Sequence, residues 1–393
     1  MRVAIVRRAP RASFSMDVYA DGLVSGLKAV RPDWEIIELT PNISQNQISS
    51  LKVRSLLNGL NKYYQRYWQY PQDLQKQEVD IFHVIDHSDG HLCRWLKKTG
   101  KPVVVTCHDL INFVQPENGR GRSLIPAISM PVWKFSVEGI CEADRIITVS
   151  EHTAKDVEKI LDIKFQELTV VPNAVESIFH PISQTEIDDF RTQHKIAPGT
   201  ICILNVGSNH PRKNVLTILK VVETLVEKGL PVHFFKTGEQ WTKELKTFID
   251  DRNLSNNITH LGKPDKDTLV KIYNSADILL APSLYEGFGM TILEAMSCGT
   301  PAIASNVSSL PEVAGDAAIL VNPLNIPEIV EAVCRLHNQP ELRQSLIDKG
   351  LSRAKRFTWE KTAEQVADVY ANFVNKTIVE TLHATSLHVQ NYH

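Results

Sequence analysis

No stretch of this sequence approaches the roughly 20 consecutive apolar residues that a membrane-spanning helix needs. The apolar run near its start, Val3–Val6, is too short for a signal-peptide core and is followed at once by Arg7 and Arg8. Both absences predict a cytoplasmic protein without an integral membrane anchor. Cysteine is sparse: Cys93, Cys107, Cys141, Cys202, Cys298 and Cys334 are scattered, and none belongs to a C-x-x-C pair. That spacing argues against a zinc cage or a disulfide framework and for isolated reduced thiols. A large net charge is missing too. The 43 Lys and Arg nearly cancel the 45 Asp and Glu, leaving −2, so no global field points to nucleic acid and any anion site has to be local. No internal repeat or low-complexity tract is present. Val3–Val6 is not followed by G-x-G-x-x-G, which argues against a nicotinamide-dependent dehydrogenase.

What is present is ordinary globular material, 43% hydrophobic and 22% charged over 393 residues. At roughly 150 residues per domain that is enough for two or three domains. Short continuous apolar runs alternate with amphipathic segments. Strands are expected at Val3–Val6, Glu35–Leu39, Ile81–Ile85, Val103–Thr106, Arg145–Val149 and Leu168–Val171, with a helix from about Asp17 to Val30. Residues 176–200 carry Pro181 and Pro198 around a polar helix and read as an interdomain linker. A second series follows at Cys202–Val206, His233–Lys236, Ile258–Leu261, Ile278–Ala281, Ala302–Ala304 and Ile319–Val321. Strands apolar on both faces, alternating with helices, predict parallel sheets covered on both sides. The expected fold is therefore α/β, with two Rossmann-like doubly wound domains facing across a cleft. Residues 1–180 form the first domain, 199–355 form the second, a helix at 359–378 packs back on the first, and 379–393 form a flexible tail. Ligands of such sheets bind beyond the strands' carboxyl ends.

The richest segment there is YEGFGMTILEAMSCGTPAIAS, Tyr285 to Ser305. Gly287 and Gly289 form a tight loop after the strand Ile278–Ala281 and lead into a helix from about Met290, which Gly299 closes. A helix start fed by glycines presents unpaired N–H groups and the positive end of a dipole, which suits a diphosphate. Glu286 precedes this helix and Glu294 lies eight positions further on. Carboxylates are good acceptors for sugar and ribose hydroxyls. A second segment, NVGSNHPRKN, follows the first strand of the second series and carries Arg212 and Lys213 next to the helix Asn214–Val222. Two adjacent cations at the same sheet edge could neutralise the same diphosphate.

Taken together these residues resemble the donor site of the retaining glycosyltransferases of family 4, which have the GT-B fold, and the resemblance covers nearly the whole chain. EGFGMTILE is similar to the family's pair of glutamates separated by seven residues, and VGSNHPRKN to its glycine loop with an Arg-Lys pair. IYNSADILLAPS and SLPEVAGDAAILVNP match two further family segments. The resemblance implies that Gly207, Arg212 and Lys213 line the donor diphosphate and that Glu294 holds the ribose. It implies that Glu286 faces the donor sugar, and that Gly287, Phe288, Gly289, Met290 and Thr291 supply backbone donors. It also implies that His108, ending the strand in VVVTCHDL, faces the sugar from the first domain. Catalytic residues would be His108, Glu286, Arg212 and Lys213. Asp109, and Asp86, Ser88 and His91 from IFHVIDHSDGHL, are acceptor-side candidates. The C-terminal helix opening with FTWEKTA is expected to cross back onto the first domain.

The implied reaction is retaining transfer of a hexosyl group, mannosyl or glucosyl, from a nucleotide sugar to a glycan, lipid-linked or small-molecule acceptor. It implies no cofactor and no metal, because the cations and the helix start supply the charge stabilisation. His83, His87 and His91 share no helical face, and Asp265-Lys266-Asp267 before the helical run TLVKIY reads as a helix cap rather than a metal triplet. The chain departs from the family after its first strand, where Arg7-Arg8-Ala9-Pro10-Arg11 replaces a Gly-Gly turn; these arginines suit either an anionic acceptor or solvent. Residues 51–70, LKVRSLLNGLNKYYQRYWQY, mix apolar, aromatic and basic side chains. They read either as a helix on an anionic bilayer, placing the protein peripherally at the inner membrane face, or as one packed on the first domain. A sugar-nucleotide epimerase, a phosphorylase and a non-catalytic nucleotide-sugar-binding protein stay open as alternatives.

Overall fold

The computed structural model describes residues 1–9, 13–41, 61, 63–114 and 126–373. Twelve strands alternate with helices: β1 Arg2–Val6, β2 Glu35–Leu39, β3 Ile81–Val84, β4 Val103–Cys107, β5 Arg145–Thr148, β6 Leu168–Val170, β7 Ile201–Gly207, β8 Val232–Gly238, β9 Ile258–His260, β10 Ile278–Ala281, β11 Ala302–Ser305 and β12 Ala318–Val321. They form two six-stranded sheets in the orders β2-β1-β3-β4-β5-β6 and β12-β11-β10-β7-β8-β9. Every pair is parallel. The central strands are buried throughout, as β3, β4, β10 and β11 show, because helices cover both faces.

The strand orders decide where a site can form. In the second sheet β7 and β10 are neighbours, yet the chain leaves them toward opposite sides, so the loops after them open a crevice at their carboxyl ends. Those loops hold residues 208–214 and 282–289. In the first sheet the loops after β1, β3 and β4 gather in the same way and carry Arg8, Asp86 and His108.

Helix boundaries depart slightly from expectation. The first helix is Phe14–Val30, three residues longer at its start than the apolar periodicity suggests, because Phe14 is 75% exposed and contributes nothing to the periodic face. Arg212 and Lys213 lie in a separate 3-10 turn, Pro211–Lys213. Asn214 then takes a left-handed conformation (φ 56°) and the helix runs Val215–Glu227. Within 176–200, the helix Gln184–Gln193 opens on a capping box from Ser183 and Glu186. Phe179 and Phe190 are buried with Cys202, Leu204 and Phe235 in the core of the second sheet.

The last described helix, 359–373, lies on the first sheet. Ala363, Val366, Ala367 and Tyr370 pack with Val3, Ile5, Tyr19 and Leu23. Gly26 permits this approach, since a Cβ there would stand 2.5 Å from the Trp359 carbonyl oxygen. The chain crosses between the domains twice, and the crossings are bonded together. Val175 N–H donates to the Phe357 carbonyl at 3.1 Å, and Thr362 Oγ1 to the Pro172 carbonyl at 2.8 Å.

Candidate active site

The loop after β10 supplies Glu286, whose side chain is buried and receives both cations of the loop after β7. Arg212 Nη1 donates to Glu286 Oε2 at 2.6 Å and Lys213 Nζ to Oε1 at 2.6 Å. Burial alone would raise the carboxyl pKa; Lys213 and then Arg212 outweigh it and hold it at about 2. Arg212 Nη1 also reaches the Tyr285 carbonyl, and the Arg212 carbonyl accepts from Leu284 N–H at 2.7 Å, so the two loops are stitched together.

Gly289 adopts φ 111° at the entrance to the helix Met290–Ser297, and no side chain caps that helix start. A Cβ there would lie 2.6 Å from Leu310 Cδ2. The Phe288 side chain does not face the crevice but is buried in the second core against Phe357. Glu294, one helical turn further along, is half-buried and accepts from the Tyr273 hydroxyl; desolvation raises its pKa.

The first domain closes on this loop. A Cβ on Gly287 would stand 2.0 Å from the His108 carbonyl oxygen, so the two backbones touch. Ser150 Oγ donates to the Gly287 carbonyl at 2.7 Å and Thr153 Oγ1 at 3.1 Å. Ser308 and Ser309 hold the same loop from the other side through the Glu286 and Phe288 carbonyls. At the rim, the Glu312 carboxylate accepts from the backbone of Glu151 and His152 at 2.9 and 3.0 Å, capping the helix Glu151–Leu161 across the interface. Tyr285 donates to Asp156. None of Ser150, Thr153, Ser308 or Glu312 stands out in the sequence as a site residue. The available signals were the Ser-x-x-Thr helix start, which reads as a local cap, and the family segment SLPEVAGDAAILVNP, which contains Glu312 without giving it a role.

His108 lines two cavities. One, of about 180 Å³, is bounded by Tyr19, Met290, Glu294, Lys266 and Trp359. The other, of about 540 Å³, is bounded by Arg8, Asp86, Ser88, Asp109, Trp133 and Arg212. The His108 Nε2 donates to the Ile85 carbonyl at 2.8 Å, and burial lowers the ring's pKa, which keeps it neutral with its hydrogen on Nε2. Burial opposes charge on Asp86 as well, but His87 and Arg8 hold its carboxyl well below the usual range; its oxygens take Arg8 Nη1 at 3.0 Å and the Ser88 N–H and hydroxyl.

Of the acceptor-side candidates, Asp86, Ser88 and Asp109 face the larger cavity and His91 does not. His91 opens the helix His91–Leu96 and turns inward, bonded to Ser136 Oγ at 2.8 Å and packed against the Tyr67 ring. His83 is inside the first core between Tyr370 and Thr106, and burial lowers its pKa to about 3. Asp265 caps the helix Lys266–Ser275 through Thr268 N–H. Among the described residues no group of three or more His, Cys, Asp or Glu side chains is placed to hold a metal ion. Arg7 is tied to Asp21 and Glu38, and Arg8 to Asp86, so the two described arginines of the altered loop serve the protein's own carboxylates; Arg11 lies outside the described residues. No described helix is long and apolar enough to cross a membrane.

Two doubly wound domains meet over a loop clasped by two cations, which is the layout of the GT-B fold. Comparison with known proteins shows the family. The model of Glycosyltransferase Family 4 matches residues 7–177 and that of Glycosyl transferases group 1 matches residues 186–353. The chain belongs to this family of glycosyltransferases. It is 29% identical over 273 residues to O-antigen chain mannosyltransferase B of Escherichia coli, covering 68% of this chain and 69% of that protein. It is 25% identical to a serotype-specific mannosyltransferase of the same organism, across 76% of this chain but only 37% of that longer protein. Its fold matches sucrose-phosphate synthase from Thermosynechococcus elongatus with a TM-score of 0.75, at 19% identity, covering 96% of this chain and 100% of the other.

Proposed function

We propose that the chain transfers a hexosyl group from a nucleotide sugar to a glycan or lipid-linked glycan acceptor, with retention at the anomeric carbon and without a metal ion. The observation that carries this is the convergence of Arg212 and Lys213 on Glu286, at a loop that feeds the uncapped start of the helix Met290–Ser297. When the sugar–phosphate bond breaks, positive charge grows on the sugar and negative charge on the diphosphate. The two cations and the helix start stabilise the leaving group. Glu286 faces the sugar, Glu294 takes the ribose hydroxyls, and His108, in its neutral form, meets the sugar from the first domain. Asp86, Ser88 and Asp109 line the acceptor's path. The mannosyltransferase names of the relatives make mannose the first sugar to try.

Incubation with UDP-, GDP- and ADP-sugars should raise the melting temperature for one of them, since a ligand bound only by the folded state stabilises it. With that donor and a glycan acceptor, NMR should show an α product from an α donor, at a rate indifferent to EDTA. A product formed without acceptor, or only with inorganic phosphate, identifies an epimerase or a phosphorylase instead.

A peripheral membrane contact belongs to the same reading. Residues 51–60 and 62 lie outside the described residues. In the part that follows, Tyr70 and Leu74 are buried while Tyr64 and Trp68 are at least half exposed, leaving an aromatic outer face. Flotation with anionic vesicles should carry the protein upward, and Trp68→Ala should reduce the floated fraction severalfold. Failure to float with the wild type removes the contact.

A further inference from the structure

At the end of β8, Lys236 is completely buried. Its ammonium donates to the carbonyls of Gly207 at 2.6 Å and Thr237 at 2.5 Å. No carboxylate among the described residues is bonded or ion-paired to it. Carbonyl dipoles solvate an ammonium but do not neutralise it, and an unpaired buried charge is costly to keep. Its location explains why it is kept. Gly207 begins the loop that carries Arg212 and Lys213, and Lys213 Nζ sits 3.7 Å from where a Gly207 Cβ would be. Two ammonium groups therefore bracket one residue, Lys213 on its open side and Lys236 on its carbonyl side. Three cations, Arg212, Lys213 and Lys236, stand at the mouth of β7 and β8, and one carboxylate, Glu286, is bonded to two of them. The excess positive charge matches a diphosphate.

We propose that Lys236 is a positioning residue of the donor site, bracing Gly207 from behind and supplying a third positive charge for the diphosphate without touching it. This rests on the donor reading given above.

The charged groups around Lys236 are few. Lys213 approaches from the loop after β7 and Glu239 from the exposed end of its own strand; His260, its neighbour on β9, turns its ring to the Glu239 carbonyl. Burial and then Lys213 lower the ammonium pKa to about 8. A bound anion favours the charged form, so binding strength is fully present below that pH and is lost as pH rises through it.

The test is titration calorimetry of the intact protein with UDP and with GDP at pH 7, 8 and 9, repeated with Lys236→Met and Lys236→Gln, with uridine and guanosine as uncharged probes. For whichever diphosphate the wild type binds, affinity should fall about tenfold between pH 7 and pH 9, as expected for one proton shared with the ligand. Both variants should bind that diphosphate more weakly at pH 7, lose this pH dependence, and bind the nucleoside as the wild type does. Equal diphosphate affinity and pH profile in a variant overturns the assignment. So does a loss that affects the nucleoside equally, or a wild-type affinity flat from pH 7 to pH 9. A wild type that binds neither diphosphate removes the donor reading itself, and this inference with it.

Discussion

Lys213→Ala should lower kcat by about 10²–10³-fold, the usual effect of deleting one preorganised group that stabilises developing negative charge. The geometry makes the loss specific. Lys213 Nζ stands 2.6 Å from Glu286 Oε1, so its ammonium already lies at the point where loop, helix start and carboxylate meet. Without it, Glu286 keeps Arg212 alone, and its pKa moves up from about 2, because burial is then opposed by one cation instead of two. On the proposed function, two faults follow from one substitution: a weaker grip on the leaving group and a less firmly ionised carboxylate facing the sugar. Single-turnover transfer with the donor found by thermal screening measures the first. The acid limb of the kcat profile, shifted toward neutral pH, reports the second. A variant with wild-type turnover would take Lys213 out of the role.

Gly287→Ala should be about as damaging for a different reason. The new methyl group would lie 2.0 Å from the His108 carbonyl oxygen and 3.0 Å from Asp109 Cβ, and the closer atom is backbone that no rotamer change can move. Relief requires the two domains to part, which carries His108 and Asp109 away from Glu286 and breaks the bonds from Ser150 and Thr153 to the Gly287 carbonyl. A displacement of about 1 Å at reacting groups costs on the order of 10²-fold in rate. On the proposed donor reading, the diphosphate is held by the second domain alone, through Arg212, Lys213 and the start of the helix Met290–Ser297. The expected pattern is therefore a kcat loss of about 100-fold with nucleoside-diphosphate affinity within a few-fold of wild type. Near-normal kcat would show that the seam between Gly287 and His108 does not have to be shut during transfer.

The fold was legible because parallel strands buried on both faces leave continuous apolar runs. Each of the twelve expected strands appears within one or two residues of its predicted place. The meeting of Arg212 and Lys213 with Glu286 was legible too, since strand-end loops of one parallel sheet share an edge. What escaped was information that local pattern does not carry. Glu312 caps a helix of the other domain 160 residues away in sequence, and Lys236 looks like the polar end of a strand until its carbonyl partners are seen. His91 was misplaced for a related reason: spacing along IFHVIDHSDGHL puts it near a strand end, but the short helix it opens rotates its ring onto Ser136 and Tyr67. Phe288 was expected to offer only its backbone to the crevice, and the sequence did not show that its side chain anchors this loop in the core.

The paired crossings near Val175 and Phe357 also determine how the two halves of the molecule can move. A single tether would let them swivel in any direction. Two chain segments fastened side by side behave instead like a strip of leather, bending easily across its width and resisting twist. Opening should therefore follow one arc, returning the His108 backbone to its seat against Gly287 each time the halves come together.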